Sequence, residues 1–69
     1  MKLKEFLKDH FDDYVYIKRS DGSAVLDMMV KFVPFWVFVM YGDLEITFSC
    51  SPCGKYDICV VTLIDWEDE

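Results

Sequence analysis

The spacing of the hydrophobic residues changes at Tyr14, and this change constrains the fold more than any other feature of the sequence. Before it, five side chains recur at helical spacing and would form one stripe on a helix: Leu3, Phe6, Leu7, His10 and Phe11. From Tyr14 onward, β-branched and aromatic residues dominate and hydrophobic positions alternate, which is typical of strands. The sequence therefore predicts an N-terminal helix followed by a sheet.

Turn residues divide the remainder of the chain into predicted strands. Asp21-Gly22 favours a hairpin turn, Pro34 interrupts a long apolar stretch, and Gly42-Asp43 reads as a two-residue hairpin loop. The predicted strands cover residues 14–19, 24–33, 35–41, 44–50 and 58–64, with a loop at residues 51–57. The segment from Ser23 to Phe32 could form either a strand or a helix, because a helix capped by Ser23 would also place its apolar residues on one face. We favour the strand because the Asp-Gly turn precedes it.

A chain of 69 residues accommodates one domain, so residues 1–69 are expected to form a single unit. The predicted fold class is α+β, with the N-terminal helix packed on a four- to five-stranded antiparallel β-sheet. Several of these strands are apolar on both faces, and one helix covers only one face of a sheet. We therefore expect an exposed apolar interface, most simply in a homodimer. Its predicted residues are Trp36, Phe38, Met40, Val61 and Leu63.

The chain is strongly acidic, with 13 acidic and 7 basic residues and a net charge of -6. The acidity is concentrated in residues 20–69, which contain nine acidic and two basic residues. This charge repels phosphate and therefore argues against direct binding to nucleic acid or to an anionic membrane. No apolar run is long enough to cross a bilayer, and charges begin at Lys2, so we expect a cytoplasmic protein without a leader.

The sequence contains none of the residue patterns that usually indicate catalysis. His10 is the only histidine and falls on the apolar stripe of the predicted helix, and three glycines leave little scope for a phosphate-binding loop. We therefore predict that the protein is not an enzyme and has no cofactor.

Cys50 and Cys53 form a C-x-x-C pair with Cys59 nearby. We expect no metal there and treat Cys50 and Cys59 as small buried side chains, with a metal site at Cys50, Cys53 and Cys59 as the alternative.

Carboxylates of the acidic part could bind the basic surface of a protein partner, in the manner of a phosphate row. The candidates are Asp43, Glu45, Asp57, Asp65, Glu67, Asp68 and Glu69. The simpler interpretation is that these charges keep a small apolar protein soluble.

The opening residues 1–9, the Asp12-Asp13 pair before Tyr14-Val15-Tyr16-Ile17, and the Asp21-Gly22 turn together resemble short acidic proteins encoded by phages and mobile elements of low-GC bacteria. Anti-CRISPR and other anti-defence inhibitors occur among them, some of them DNA mimics. The resemblance implies an inhibitor of a nucleic-acid-processing defence complex in the host cytoplasm. The alternatives are an adaptor or assembly subunit that binds through its apolar sheet, and a cysteine-based metal-binding interaction module.

Overall fold

A computed structural model describes residues 1–64 of the chain and shows an α+β fold. The helices are α1 (Leu3–Asp9) and α2 (Phe35–Tyr41), and a short 3-10 helix covers Val30–Phe32. The strands are β1 (Tyr14–Lys18), β2 (Ala24–Met29), β3 (Glu45–Cys53) and β4 (Tyr56–Ile64). The predicted N-terminal helix is confirmed, and the segment from Ser23 to Phe32 is a strand over most of its length.

The sheet is mixed, so the prediction of a purely antiparallel sheet was wrong. Its strand order is β2-β1-β4-β3, and β1 pairs with β4 in parallel while the other two pairs are antiparallel. The reason is the long connection from residue 30 to residue 44, which carries the chain from one edge of the sheet to the other. Strand β4 then returns through a tight turn at Gly54 and inserts between β3 and β1. A parallel pair needs a crossover of this kind.

The segment 35–41 was predicted as the strongest strand and is instead helix α2. Valine and aromatic residues favour strands, but such propensities are weak where tertiary packing opposes them. Pro34 precedes the helix in an extended conformation, and the side chain of Val37, within the helix, is completely buried. The predicted hairpin at Gly42-Asp43 is consequently wrong as well: Gly42 caps α2 and its N–H donates to the carbonyl of Phe38 at 3.0 Å.

The core lies between the two helices and one face of the sheet. Leu3, Phe6 and Leu7 of α1 and Val37 of α2 belong to one buried cluster with alternating strand residues. The strand residues of that cluster are Val15, Ile17, Ile46, Cys59, Val61 and Leu63. Val61 and Leu63 are fully buried, so their prediction as interface residues was wrong. On the opposite face, Ile58 and Val60 are more than a third exposed.

Candidate functional site

Exposed apolar side chains cluster in the sequence on α2 and just before it. There are five of them, and we call them the α2 surface: Phe32, Phe35, Trp36, Val39 and Met40. Phe35 is 78% exposed and Trp36 48% exposed, and no residue of α2 carries a charge. A helix that is apolar all round is normally buried on every side, so α2 has the character of a helix that lacks part of its surroundings.

The predicted interface residues divide between this surface and the core. Trp36 and Met40 lie one helical turn apart on the α2 surface, whereas Phe38 is half-buried and packs against the core. Phe35 and Val39 were not among the predicted interface residues, because strand alternation placed them on the opposite face from Trp36 and Met40. Helical spacing, applied to the same residues, would have placed them all on adjoining turns.

Charged residues stand at both ends of the α2 surface. Lys31 precedes α2, and its Nζ lies 5.8 Å from the ring centroid of Phe32. Asp43 follows α2, and its carboxylate accepts a hydrogen bond from Lys4 at 2.9 Å, with 79% of its side chain exposed. This contact lowers the pKa of Asp43 and raises the pKa of Lys4. The apolar surface is thus bordered by a cation before the helix and an anion after it.

The acids predicted to bind a partner do not form a free row in the described residues. Asp43 is paired with Lys4, and the Glu45 carboxylate is 2.9 Å from the amino group of Met1. Asp57 is half-buried at the start of β4. The remaining candidates, Asp65, Glu67, Asp68 and Glu69, lie outside the residues that the structure describes.

A groove of about 410 Å³ lies beside α1 and reaches α2. Leu7, Phe11 and Phe38 give it an apolar floor, and Lys4 and Lys8 lie at its edge with Glu5. Two of the three charged residues of the groove are basic, whereas a surface that mimics nucleic acid is expected to be acidic.

A second site joins the end of α1 to strands β3 and β4. Cys50 and Cys59 face each other across these strands, with Cα atoms 4.0 Å apart, and form a disulfide. The structure thus places the two cysteines as a bonded pair rather than as separate buried thiols. His10 joins them, and one potential ligand atom from each of the three residues lies within 4.8 Å of the others. Cys59 is fully buried, while Cys50 and His10 are half-buried.

Asp13 fixes the position of His10. Its Oδ2 is 2.9 Å from His10 Nδ1, and its Oδ1 accepts a hydrogen bond from the backbone N–H of Asp57 at 3.0 Å. The Asp57 N–H, followed by the contact with His10, lowers the pKa of the Asp13 carboxyl. The imidazole also stacks on the ring of Phe6 at 4.3 Å between centroids, with Phe48 at its edge.

The structure does not bring together all three members of the alternative metal set Cys50, Cys53 and Cys59. Cys53 is a free, exposed thiol near the β3–β4 turn and does not belong to the cluster, whereas His10 does. The sequence offered a signal in the spacing of His10 and Asp13, which are neighbours on a helical end at i and i+3. Nothing in the sequence showed that β3 and β4 would bring the cysteines to that histidine.

The cluster combines two sulfur atoms, an imidazole and a carboxylate that orients the imidazole. With the disulfide intact it can take part in thiol–disulfide exchange, and with free thiols it offers soft metal ligands.

Comparisons with protein-family models, curated proteins and solved structures find no match to the chain. Within residues 1–64, neither helix has the length and apolar character needed to cross a membrane.

Proposed function

We propose that this chain is a small assembly module that forms a homodimer through the α2 surface. The observation that supports this proposal is a charge-free helix with Phe35, Trp36, Val39 and Met40 all about half exposed or more. Burying these side chains against a second copy removes them from water, which is the main driving force for association. The proposal keeps the assembly-subunit hypothesis and moves its surface from the sheet to α2.

The size of the surface is appropriate for a dimer. Aromatic side chains present roughly 150–250 Å² each, so the exposed fractions of Phe32, Phe35 and Trp36 correspond to on the order of 400 Å². Val39 and Met40 enlarge this area. A standard interface buries about 800 Å² per partner, and the charged residues around α2 would supply much of the remainder.

The charges at the ends of α2 favour a second copy as the occupant. In a twofold dimer, two α2 helices can cross in antiparallel orientation, so that the start of one lies beside the end of the other. Lys31 of one copy would then lie near Asp43 of its mate. Both side chains are exposed and of opposite charge. Each chain has a net charge of -6, but α2 itself carries no charge, so no acidic residues would face each other at the centre of this contact.

The competing proposal is the inhibitor that binds a basic surface through carboxylates. The acidic excess of residues 20–69 supports it. Against it, the Glu45 carboxylate already contacts the amino group of Met1, and Asp57 is half-buried. The assembly module therefore has the stronger support from geometry, and the two proposals differ in their response to salt.

Analytical ultracentrifugation of the oxidised chain tests the dimer over a concentration range from about 1 to 200 μM. We expect a reversible dimer, and we expect Trp36→Glu to raise its Kd by about 100-fold or more, because a buried aromatic anchor typically contributes several kcal/mol. The control is Val60→Glu, which adds the same charge to the open face of the sheet. Circular dichroism establishes that both variants are folded.

A monomer at all concentrations, or a dimer that is broken by Val60→Glu but retained in Trp36→Glu, would contradict the proposal. Salt provides the second arm of the test. Apolar association of two acidic chains should hold or strengthen as salt is raised, since screening reduces their mutual repulsion. A dimer that weakens steeply as salt is raised would instead indicate association driven by charge. The inhibitor hypothesis requires such charge-driven binding between the protein and its target.

A further inference from the structure

We propose that His10, Cys50 and Cys59 form a zinc site when the disulfide is reduced, with Asp13 as the residue that positions His10. The inference is independent of the dimer, because none of these residues belongs to the α2 surface. It follows from three features of the cluster: the closeness of the ligand atoms, the orientation of the imidazole, and the accessibility of one side.

The ligand atoms are close to the separation that a tetrahedral ion requires. Zinc binds sulfur at about 2.3 Å and imidazole nitrogen at about 2.0 Å, so neighbouring ligand atoms of a tetrahedral site are roughly 3.5 Å apart. The candidate atoms of His10, Cys50 and Cys59 already lie within 4.8 Å of one another. Side-chain rotations of reduced Cys50 and Cys59 can therefore reach the ligand geometry while the β3–β4 register stays unchanged.

The imidazole of His10 is held in the manner of a metal ligand. Its Nδ1 lies 2.9 Å from Asp13 Oδ2, and in the neutral tautomer whose Nδ1–H donates to this carboxylate, Nε2 carries the lone pair that can bind a metal. Histidine ligands commonly donate their other ring nitrogen to a carboxylate in this way, and the contact fixes both tautomer and ring orientation. Stacking on Phe6 further restricts the ring.

The zinc site and the disulfide exclude each other because they use the same two sulfur atoms. A thiol reductant supplies two electrons and two protons, breaks the Cys50–Cys59 bond and is itself oxidised to a disulfide. Zinc binding then releases the two thiol protons, and both thiolates bind the ion. His10 is the third ligand. Cys50 and His10 are half-buried, so water can reach the fourth position.

Cobalt(II) is the probe of choice, since its visible bands report tetrahedral coordination and its near-ultraviolet bands report bound thiolate. We expect the reduced chain to bind one cobalt ion per chain under anaerobic conditions, zinc to displace it, and the oxidised chain to show neither band. Cys53→Ser is the matched control and should bind like the parent, because Cys53 lies outside the cluster.

Two further variants identify the ligands. His10→Ala should weaken binding at least about tenfold and alter the visible bands, and Asp13→Asn should weaken it by about 10–100-fold with bands of unchanged shape. Circular dichroism of each reduced variant confirms that it is folded. The proposal is overturned if the folded, reduced parent binds no cobalt, if His10→Ala binds like the parent, or if Cys53→Ser abolishes binding.

Discussion

At the scale of single residues, Asp13 connects more of the molecule than its place in the sequence indicates. Beside its contacts with His10 and Asp57, its backbone carbonyl accepts a hydrogen bond from the N–H of Val30 at 2.9 Å. It therefore links the end of α1, the end of β2 and the start of β4. The sequence showed only two adjacent acids after a helix, because the partners of Asp13 come from distant parts of the chain.

We expect Asp13→Ala to lower the free energy of unfolding by about 1–2 kcal/mol at neutral pH, since two hydrogen bonds to a carboxylate are lost at a partly exposed position. Asp12→Ala is the control, because Asp12 is exposed and adjacent. Urea unfolding of the oxidised, metal-free proteins measures the difference. Equal losses in the two variants would contradict this role for Asp13.

The same substitution should show a defined pH dependence. The pKa of Asp13 is lowered in the folded chain, so its ionised form stabilises the fold at pH values above its ordinary pKa of 3.8. This contribution is lost as the pH falls below that value and through the lowered pKa. The stability difference between the parent and Asp13→Ala should consequently shrink as the pH falls below 3.8.

At the scale of elements, α2 shows where reasoning from sequence reached its limit. Its residues are strand formers, and its seven residues are too few for a stable helix in isolation. The helix exists because Val37 is inserted into the core and because the chain must cross the sheet between β2 and β3. All four strands were predictable because alternation is a local signal, whereas a crossover depends on residues far apart.

If burial of Val37 holds α2 in place, Val37→Ala should destabilise the fold by about 2 kcal/mol, from lost burial and a small cavity. Val39→Ala, two positions away and 67% exposed, should change stability by less than about 0.5 kcal/mol. Denaturant unfolding in the Trp36→Glu background separates these effects from dimer formation. A similar cost for both variants would show that α2 is not anchored through Val37.

At the scale of the whole molecule, the strand order explains why the candidate sites escaped prediction. The parallel pairing of β1 with β4 places Cys59 beside Val15, and the antiparallel pairing of β4 with β3 places Cys50 beside Cys59. His10 reaches them because α1 packs over the same strands. The α+β class followed from the change of hydrophobic spacing, but these neighbours follow from topology, which the spacing does not encode.

The same topology makes global stability depend on the state of the Cys50–Cys59 pair. The disulfide closes a loop with a sequence separation of 9, for which loop-closure entropy corresponds to roughly 2–3 kcal/mol. Since β3 and β4 are already joined by a tight turn and an extended hydrogen-bonded ladder, we expect a loss near the lower end, about 2 kcal/mol, when the pair is reduced.

Zinc should then restore stability to the reduced chain, because an ion that binds only the folded state raises the free energy of unfolding with the logarithm of its concentration. Thermal unfolding of Cys53→Ser, in which no third thiol can exchange, measures the oxidised, reduced and zinc-loaded states under one buffer. We expect the reduced chain without metal to have the lowest Tm of the three states. If zinc leaves the Tm of the reduced chain unchanged, the cluster does not hold the ion. If the reduced and oxidised chains have the same Tm, the disulfide adds no stability to a hairpin that its turn and its hydrogen-bonded ladder already hold.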